Sequence, residues 1–183
     1  MKDDEQDLCR RARGGDLSAA SELVSRFYER IFAYHRRLCG NHEDAADLTQ
    51  HTFTRVWRAL GSYQGRSSFN TWLHGIAHHV YVDWRRKRNA GEIQSDEWWA
   101  AQAAESPGLF EDARERDLCG YLYRCVDQLD EEKKQAIHLH YYQSLSLSET
   151  AEALGVATST VKYRLREALD FLRTKVAEPG VRR

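Results

Sequence analysis

His74, His78, Tyr81, Arg85 and Arg88 recur every three or four residues, a spacing that lines them up along one side of a 3.6-residue helix. Imidazole, phenol and guanidinium groups bond phosphate or stack on bases, and the stripe ends in the consecutive cations Arg85, Arg86, Lys87 and Arg88. The same residues have other readings. A basic run alone is equally a solvated helix face. His74 and His78, one turn apart with Asp83 near, also have the spacing of metal ligands, the basis for a helical metal-dependent hydrolase. The glutamate of an HExxH motif is missing and no partner carboxylate helix stands out, so no catalytic residue, metal or cofactor is assigned.

Positioning such a stripe takes a packed helix. Phe69, Trp72, Leu73, Ile76, Ala77, Val80 and Trp84 form a second, apolar stripe rotated from the first, and are the expected core side. Upstream, a short helix over residues 4–13 ends at Gly14 and Gly15. A longer one from about Asp16 carries Leu23, Phe27, Ile31 and Tyr34 and stops at Gly40. Asn41 caps the next, whose inward stripe is Ala45, Leu48, Thr52, Phe53, Val56 and Leu60. Residues 61–68 form a polar loop holding Ser62, Tyr63, Gln64, Arg66, Ser67 and Ser68.

Periodicity fades over residues 91–108, which read as an acidic linker, and Trp98 and Trp99 within it are expected to dock on a neighbour. A second unit over residues 109–177 begins with helices to about Leu129 and from Asp130 to about Tyr142; residues 178–183 are a tail. Ser146 with Glu149 makes a capping box, and Gly155 suits a helix-ending turn. Thr158 or Ser159 caps a helix with Val161, Leu165, Ala168, Leu169 and Leu172 inside. This is a helix-turn-helix, with Ser159, Thr160, Lys162, Tyr163, Arg164 and Arg166 near the start of its second helix, the end that enters a major groove.

The 183 residues, 42% hydrophobic with only two prolines, fit an all-α chain of two small helical domains. The net charge of −1 hides a segregation: residues 61–88 carry five cations and one acid, residues 89–132 three and twelve, and residues 133–183 nine and five. Two basic units flanking an acidic connector suit two contacts with nucleic acid. Cys9, Cys39, Cys119 and Cys125 match neither a zinc module nor a disulfide framework and are expected to be reduced. No membrane span or secretion signal is visible, and a cytoplasmic protein is expected.

Three stretches together resemble bacterial RNA polymerase sigma factors of the sigma-70 family, extracytoplasmic-function type. Asp44-Ala45-Ala46-Asp47-Leu48-Thr49-Gln50-His51-Thr52-Phe53 resembles region 2.2. Phe69-x-Thr71-Trp72-Leu73-x-x-Ile76-Ala77 through Asp83-x-Arg85-Arg86 resembles regions 2.3 and 2.4. Ser146-x-x-Glu149-x-Ala151 with Gly155-Val156 and Thr160-Val161-Lys162-x-Arg164-Leu165 resembles region 4.2.

The resemblance implies a region 2 domain over residues 1–90 and a region 4 domain over residues 109–177. It implies binding to core RNA polymerase, through the β′ clamp helices and the β subunit, and to promoter DNA. Asp44, Asp47, Leu48, Gln50, His51 and Phe53 then fall on the core-binding helix. The loop from Ser62 to Ser68 falls where a flipped −10 base is captured, and Arg85, Arg86 and Arg88 fall where the backbone is held; His74, His78 and Tyr81 are candidates for the same strand from the spacing of the stripe alone. Thr158, Ser159, Thr160, Lys162, Tyr163, Arg164 and Arg166 fall at the −35 element.

The chain also departs from the family pattern. Ala46 and His51 stand where glutamates are usual, which removes two negative charges beside Thr49, Thr52 and Thr54. A phosphothreonine would restore about −1.5 to −2, so control by a Ser/Thr kinase at Thr52, or else Thr49, is an expectation beside control by an anti-sigma factor. His79 replaces a common asparagine and Tyr163 a common serine. A helix-turn-helix regulator that is not a polymerase subunit remains the alternative; it accounts for the second unit and leaves the first unexplained.

Overall fold

A computed structural model describes residues 2–88 and 113–177. The acidic linker with Trp98 and Trp99, and the tail, lie outside the described residues, as does the Cys119 side chain.

Asp16 starts the first long helix by accepting hydrogen bonds from Ser18 N–H (2.9 Å) and Ala19 N–H (3.1 Å). Asn41 does the same for the next, through Glu43 N–H and Asp44 N–H. Between them Gly40 adopts the left-handed conformation (φ 79°) that ends the preceding helix without a Cβ penalty. The first unit is thus α1 (Lys2–Arg13), α2 (Leu17–Cys39), α3 (His42–Ala59), a 3₁₀ turn (Leu60–Ser62) and α4 (Phe69–Arg88). Its core holds Leu23, Ile31, Tyr34, Leu48, Val56, Phe69, Leu73 and Ala77.

The second unit contains α5 (Ala113–Asp127), α6 (Glu131–Ile137), a π-helical turn (His138–Tyr142), α7 (Leu147–Leu154) and α8 (Thr158–Ala177). The single helix expected from Asp130 to Tyr142 is therefore split, because the backbone widens at His138. No strand occurs among the described residues, and none of their helices is long and apolar enough to cross a membrane.

The two units meet. Helix α4 packs against α1, α2 and α3 on one side and against α7 on another. Gly75 sits where the backbones approach: a Cβ there would lie 3.7 Å from Ala153 Cα. Thr71 Oγ1 donates to Glu149 Oε1 (3.2 Å), Arg85 pairs with Glu131, and the Arg37 guanidinium lies 4.4 Å over the Tyr142 ring.

The packing corrects the expected division of α4. His74 and Tyr81, placed on the exposed stripe, are buried, whereas Trp72, Ile76 and Trp84, placed in the core, are only partly covered. The Tyr81 hydroxyl donates to the Leu38 carbonyl (3.3 Å), and burial pushes the phenol above its ordinary range.

Candidate polymerase-binding helix and nucleic-acid interface

On α3, Asp47, Gln50 and His51 are exposed, whereas Leu48 and Phe53 are core residues. Phe53 stacks on Tyr28 (6.3 Å between centroids), which stacks on Phe32, so its contribution is to hold α3 on α2. Asp44 accepts a 2.6 Å charge-assisted bond from Arg88, whose guanidinium also lies over Trp84. These two candidates, one for polymerase and one for DNA, thus join α3 to the end of α4. Trp57, further along the same helix and outside the six core-binding candidates, is an exposed aromatic.

Thr49 and Thr52 were the expected phosphorylation sites, and the fold contradicts both. The Thr49 hydroxyl donates to Ala45 O (2.7 Å) and the Thr52 hydroxyl to Leu48 O (2.8 Å); neither side chain reaches solvent. A kinase has no access to either. Thr54 is exposed.

In the loop, Ser62, Gln64 and Arg66 are exposed. Tyr63 is not a free stacking platform: its ring packs on Trp72 (4.9 Å) and Phe69, and its hydroxyl donates to Ser67 O (2.7 Å). Desolvation holds that phenol at about 12. Ser68 caps α4, its Oγ accepting from Thr71 N–H at 3.1 Å. Ser67 and Ser68 are half-buried and tied into the turn. Glu5 of α1 also reaches this point and accepts the Phe69 N–H (3.0 Å), a carboxylate at the positive end of the helix.

Along α4 the cations differ in availability. Arg86 and Lys87 are exposed, and Arg86 has a 3.4 Å contact with Asp83. Asp83 also accepts from Arg55 at 2.9 Å, which holds its carboxyl below the usual range. Arg85 and Arg88 are half-buried in ion pairs. His74 donates from Nδ1 to the Asn70 carbonyl (2.8 Å), and Gln143 of the second unit faces it. Burial lowers both His74 and His78 to about 4. Among the described residues no group of three or more His, Cys, Asp or Glu is arranged to hold a metal, so His74 and His78 have no third ligand there.

The helix-turn-helix has both expected terminators. Ser146 N–H donates to Glu149 Oε2 (2.9 Å) while Ser146 Oγ accepts from Glu149 N–H (3.3 Å). Gly155 turns with φ 66°, and Val156 N–H reaches back to Ala151 O (3.0 Å). Thr158 and Ser159 are the first helical residues rather than caps, since Thr160 and Val161 donate to the Ala157 carbonyl. Ser159, Lys162, Tyr163 and Arg166 are exposed, and Thr158 and Thr160 are half-exposed. The Arg166 guanidinium lies 5.7 Å over the Tyr163 ring. Arg164 is instead turned inward onto Glu132 (2.5 Å).

These regions correspond to known proteins. Residues 23–91 match the model of Sigma-70 region 2, and residues 119–172 match that of Sigma-70, region 4. The ECF RNA polymerase sigma factor SigE of Mycolicibacterium smegmatis is 33% identical across 90% of this chain, which spans 65% of that relative. The RNA polymerase sigma factor YlaC of Bacillus subtilis is 32% identical across 80% of this chain and 86% of its own length. Among solved structures, CnrH in complex with the cytosolic domain of CnrY superimposes with a TM-score of 0.73 at 22% identity, over 96% of this chain and 99% of that one. The sigma factor RpoE, in complex with the anti-sigma factor NepR from Bartonella quintana, gives 0.69 at 21% identity, over 86% and 96%. With a region 2 helical unit followed by a region 4 helix-turn-helix, the chain belongs to the sigma-70 family of RNA polymerase sigma factors, in its extracytoplasmic-function group.

Proposed function

We propose that this chain is an alternative sigma subunit that binds core RNA polymerase in the cytoplasm and directs initiation at promoters with −35 and −10 elements. The observation that carries the reading is the start of α8, where Ser159, Lys162, Tyr163 and Arg166 project together from a properly terminated helix-turn-helix. Lysine and arginine read guanine edges, and serine and backbone amides hold phosphate. Arg164 acts through Glu132 as a support for the helix. At the −10 element Gln64 and Arg66 of the loop and Arg86 of α4 are the accessible groups, with Ser62 at the loop's edge. Capturing unpaired bases there offsets the few kcal/mol of unpairing, so melting needs no hydrolysis. Asp47, Gln50 and His51 form the polymerase face, consistent with domain limits of residues 1–90 and 109–177.

Control by an anti-sigma factor is supported by the similarly folded RpoE, which was solved bound to the anti-sigma factor NepR. Of the threonines on α3, Thr54 is the one whose exposure suits a kinase.

Purified chain added to core polymerase should start transcripts at a defined position on a template carrying its promoter, with neither component sufficient alone. Asp47→Lys should lower that activity by weakening the polymerase contact while DNA binding by the chain persists. DNA binding with no affinity for core polymerase would instead identify a helix-turn-helix regulator.

A further inference from the structure

The geometry points to Tyr163 and Arg166 as one reading unit on α8: the tyrosine ring meets a thymine methyl in the major groove and steadies the arginine guanidinium for the guanine of the adjacent base pair. This rests on the reading of α8 as the helix that meets the −35 element, and it names the base step selected there.

Spacing brings the two groups together. Tyr163 and Arg166 are three residues apart on one face of α8, which Ser159 and Lys162 complete, while Val161, Leu165 and Ala168 are buried on the other. The rise between the two is about 4.5 Å, close to the roughly 3.4 Å between stacked base pairs. Side chains so placed in the groove meet neighbouring pairs.

The ring has no packing role that explains it. At 54% exposure Tyr163 is more open than any other tyrosine, tryptophan or phenylalanine among the described residues, and it stands where serine is common in the family pattern. Its one ring contact is cationic: the Arg166 guanidinium lies 5.7 Å over its centroid. Stacking limits the freedom of the guanidinium, so less is lost when its fork bonds O6 and N7 of guanine. The exposed part of the ring offers an apolar surface, and in the major groove the thymine methyl is the apolar group to match it. The neighbouring cations are suited to other work. Arg164 is held inward by Glu132, and Lys162, a point charge on a flexible stem, fits a phosphate. Glu167, next along α8, is half-buried and faces Lys133 of α6.

In the test, core polymerase carrying the full chain selects its preferred sequence from a library of randomised duplexes. Single-position analogues of that duplex are then compared by fluorescence anisotropy: deoxyuridine, which lacks only the thymine methyl, and 7-deazaguanine, which lacks the N7 acceptor. With the wild type, deoxyuridine at one position should lower affinity about fourfold, as expected for one buried methyl. At the adjacent pair 7-deazaguanine should lower it about fivefold. Y163S should lose the methyl effect and weaken the guanine effect, Y163F should keep both, and R166K should lose the guanine effect alone. The paired reading is overturned if no such adjacent positions exist, if the methyl effect persists in Y163S, or if the guanine effect persists in R166K. Poor assembly of Y163S with core polymerase, with the wild-type base preference retained, would make the ring a protein contact and overturn it too. A preferred sequence unchanged in S159A, K162A, Y163S and R166A alike would instead remove the contact of α8 with DNA.

Discussion

Thr52 donates its hydroxyl proton to the Leu48 carbonyl, which leaves its oxygen to accept the Nε2 proton of His35 at 2.9 Å. That chain of bonds fixes the imidazole tautomer inside the core, where His35 Nδ1 has no partner of its own. Thr52→Val keeps the shape and orphans the imidazole N–H, so it should cost about 1–3 kcal/mol in urea unfolding. Thr54→Val, on the exposed side, should stay within about 0.5 kcal/mol. Equal midpoints for the two would show that the buried bond contributes nothing. The alternation around Thr49, Thr52 and Thr54 put all three beside the missing negative charges; only their hydrogen bonds separate the core threonines from the accessible one. Buried threonine in a helix commonly satisfies its hydroxyl on the carbonyl one turn back, so a type-and-position reading alone mistook two packing residues for modification sites.

The helix boundaries were largely legible because capping is local. Asn41, Gly40, the Ser146 and Glu149 pair, and Gly155 all act where their types indicated. The faces of α4 were less legible: a helix gripped from two sides has two buried stripes, and composition does not say that the second partner is another part of the same chain. His74, which Gln143 of the second unit faces, was misplaced for that reason, whereas Tyr81 turns back onto the Leu38 carbonyl of α2 and Tyr63 packs on Trp72 as the loop closes. The widened turn at His138 also left no local signal. Helix α7 spans eight residues, too few to persist alone. Ser146→Ala should therefore lower stability by about 1 kcal/mol, with a matching fall in the urea midpoint that Ser148→Ala does not reproduce. If the two alanine variants unfold together, the capping box is not what holds α7.

At the scale of the molecule, three buried histidines and the half-buried His78 among the described residues set a response to acid. Desolvation, first among the causes, lowers His35 and His138 to about 3 and His74 and His78 to about 4, from an ordinary 6.5. The folded chain keeps these rings neutral, while the unfolded chain protonates them below 6.5. Their contribution is complete above that value and is lost as pH falls from 6.5 toward about 4 for His74 and His78 and toward about 3 for His35 and His138. At pH 5.5 each ring removes about 1.4 kcal/mol. The melting temperature should fall by at least about 5 °C between pH 7.5 and pH 5.5, and a flat profile would show the rings to be hydrated. Asp16, Asp83 and Asp130 are lowered by their partners and stabilise the fold above the usual carboxylate value of 3.8, so their loss belongs to stronger acid.

The bond from Phe69 N–H to Glu5 gives helix α1 a part in shaping the loop proposed to face the promoter. Helix α1 lies before residue 23, where the recognisable family sequence begins. A version of the protein trimmed to that boundary would keep every proposed DNA-contacting and polymerase-contacting side chain, yet it would release the start of α4 and uncover the Tyr63 side of the loop. Comparisons of promoter strength between family members trimmed to a common length would then report differences in their leading segments as though they were differences in base recognition.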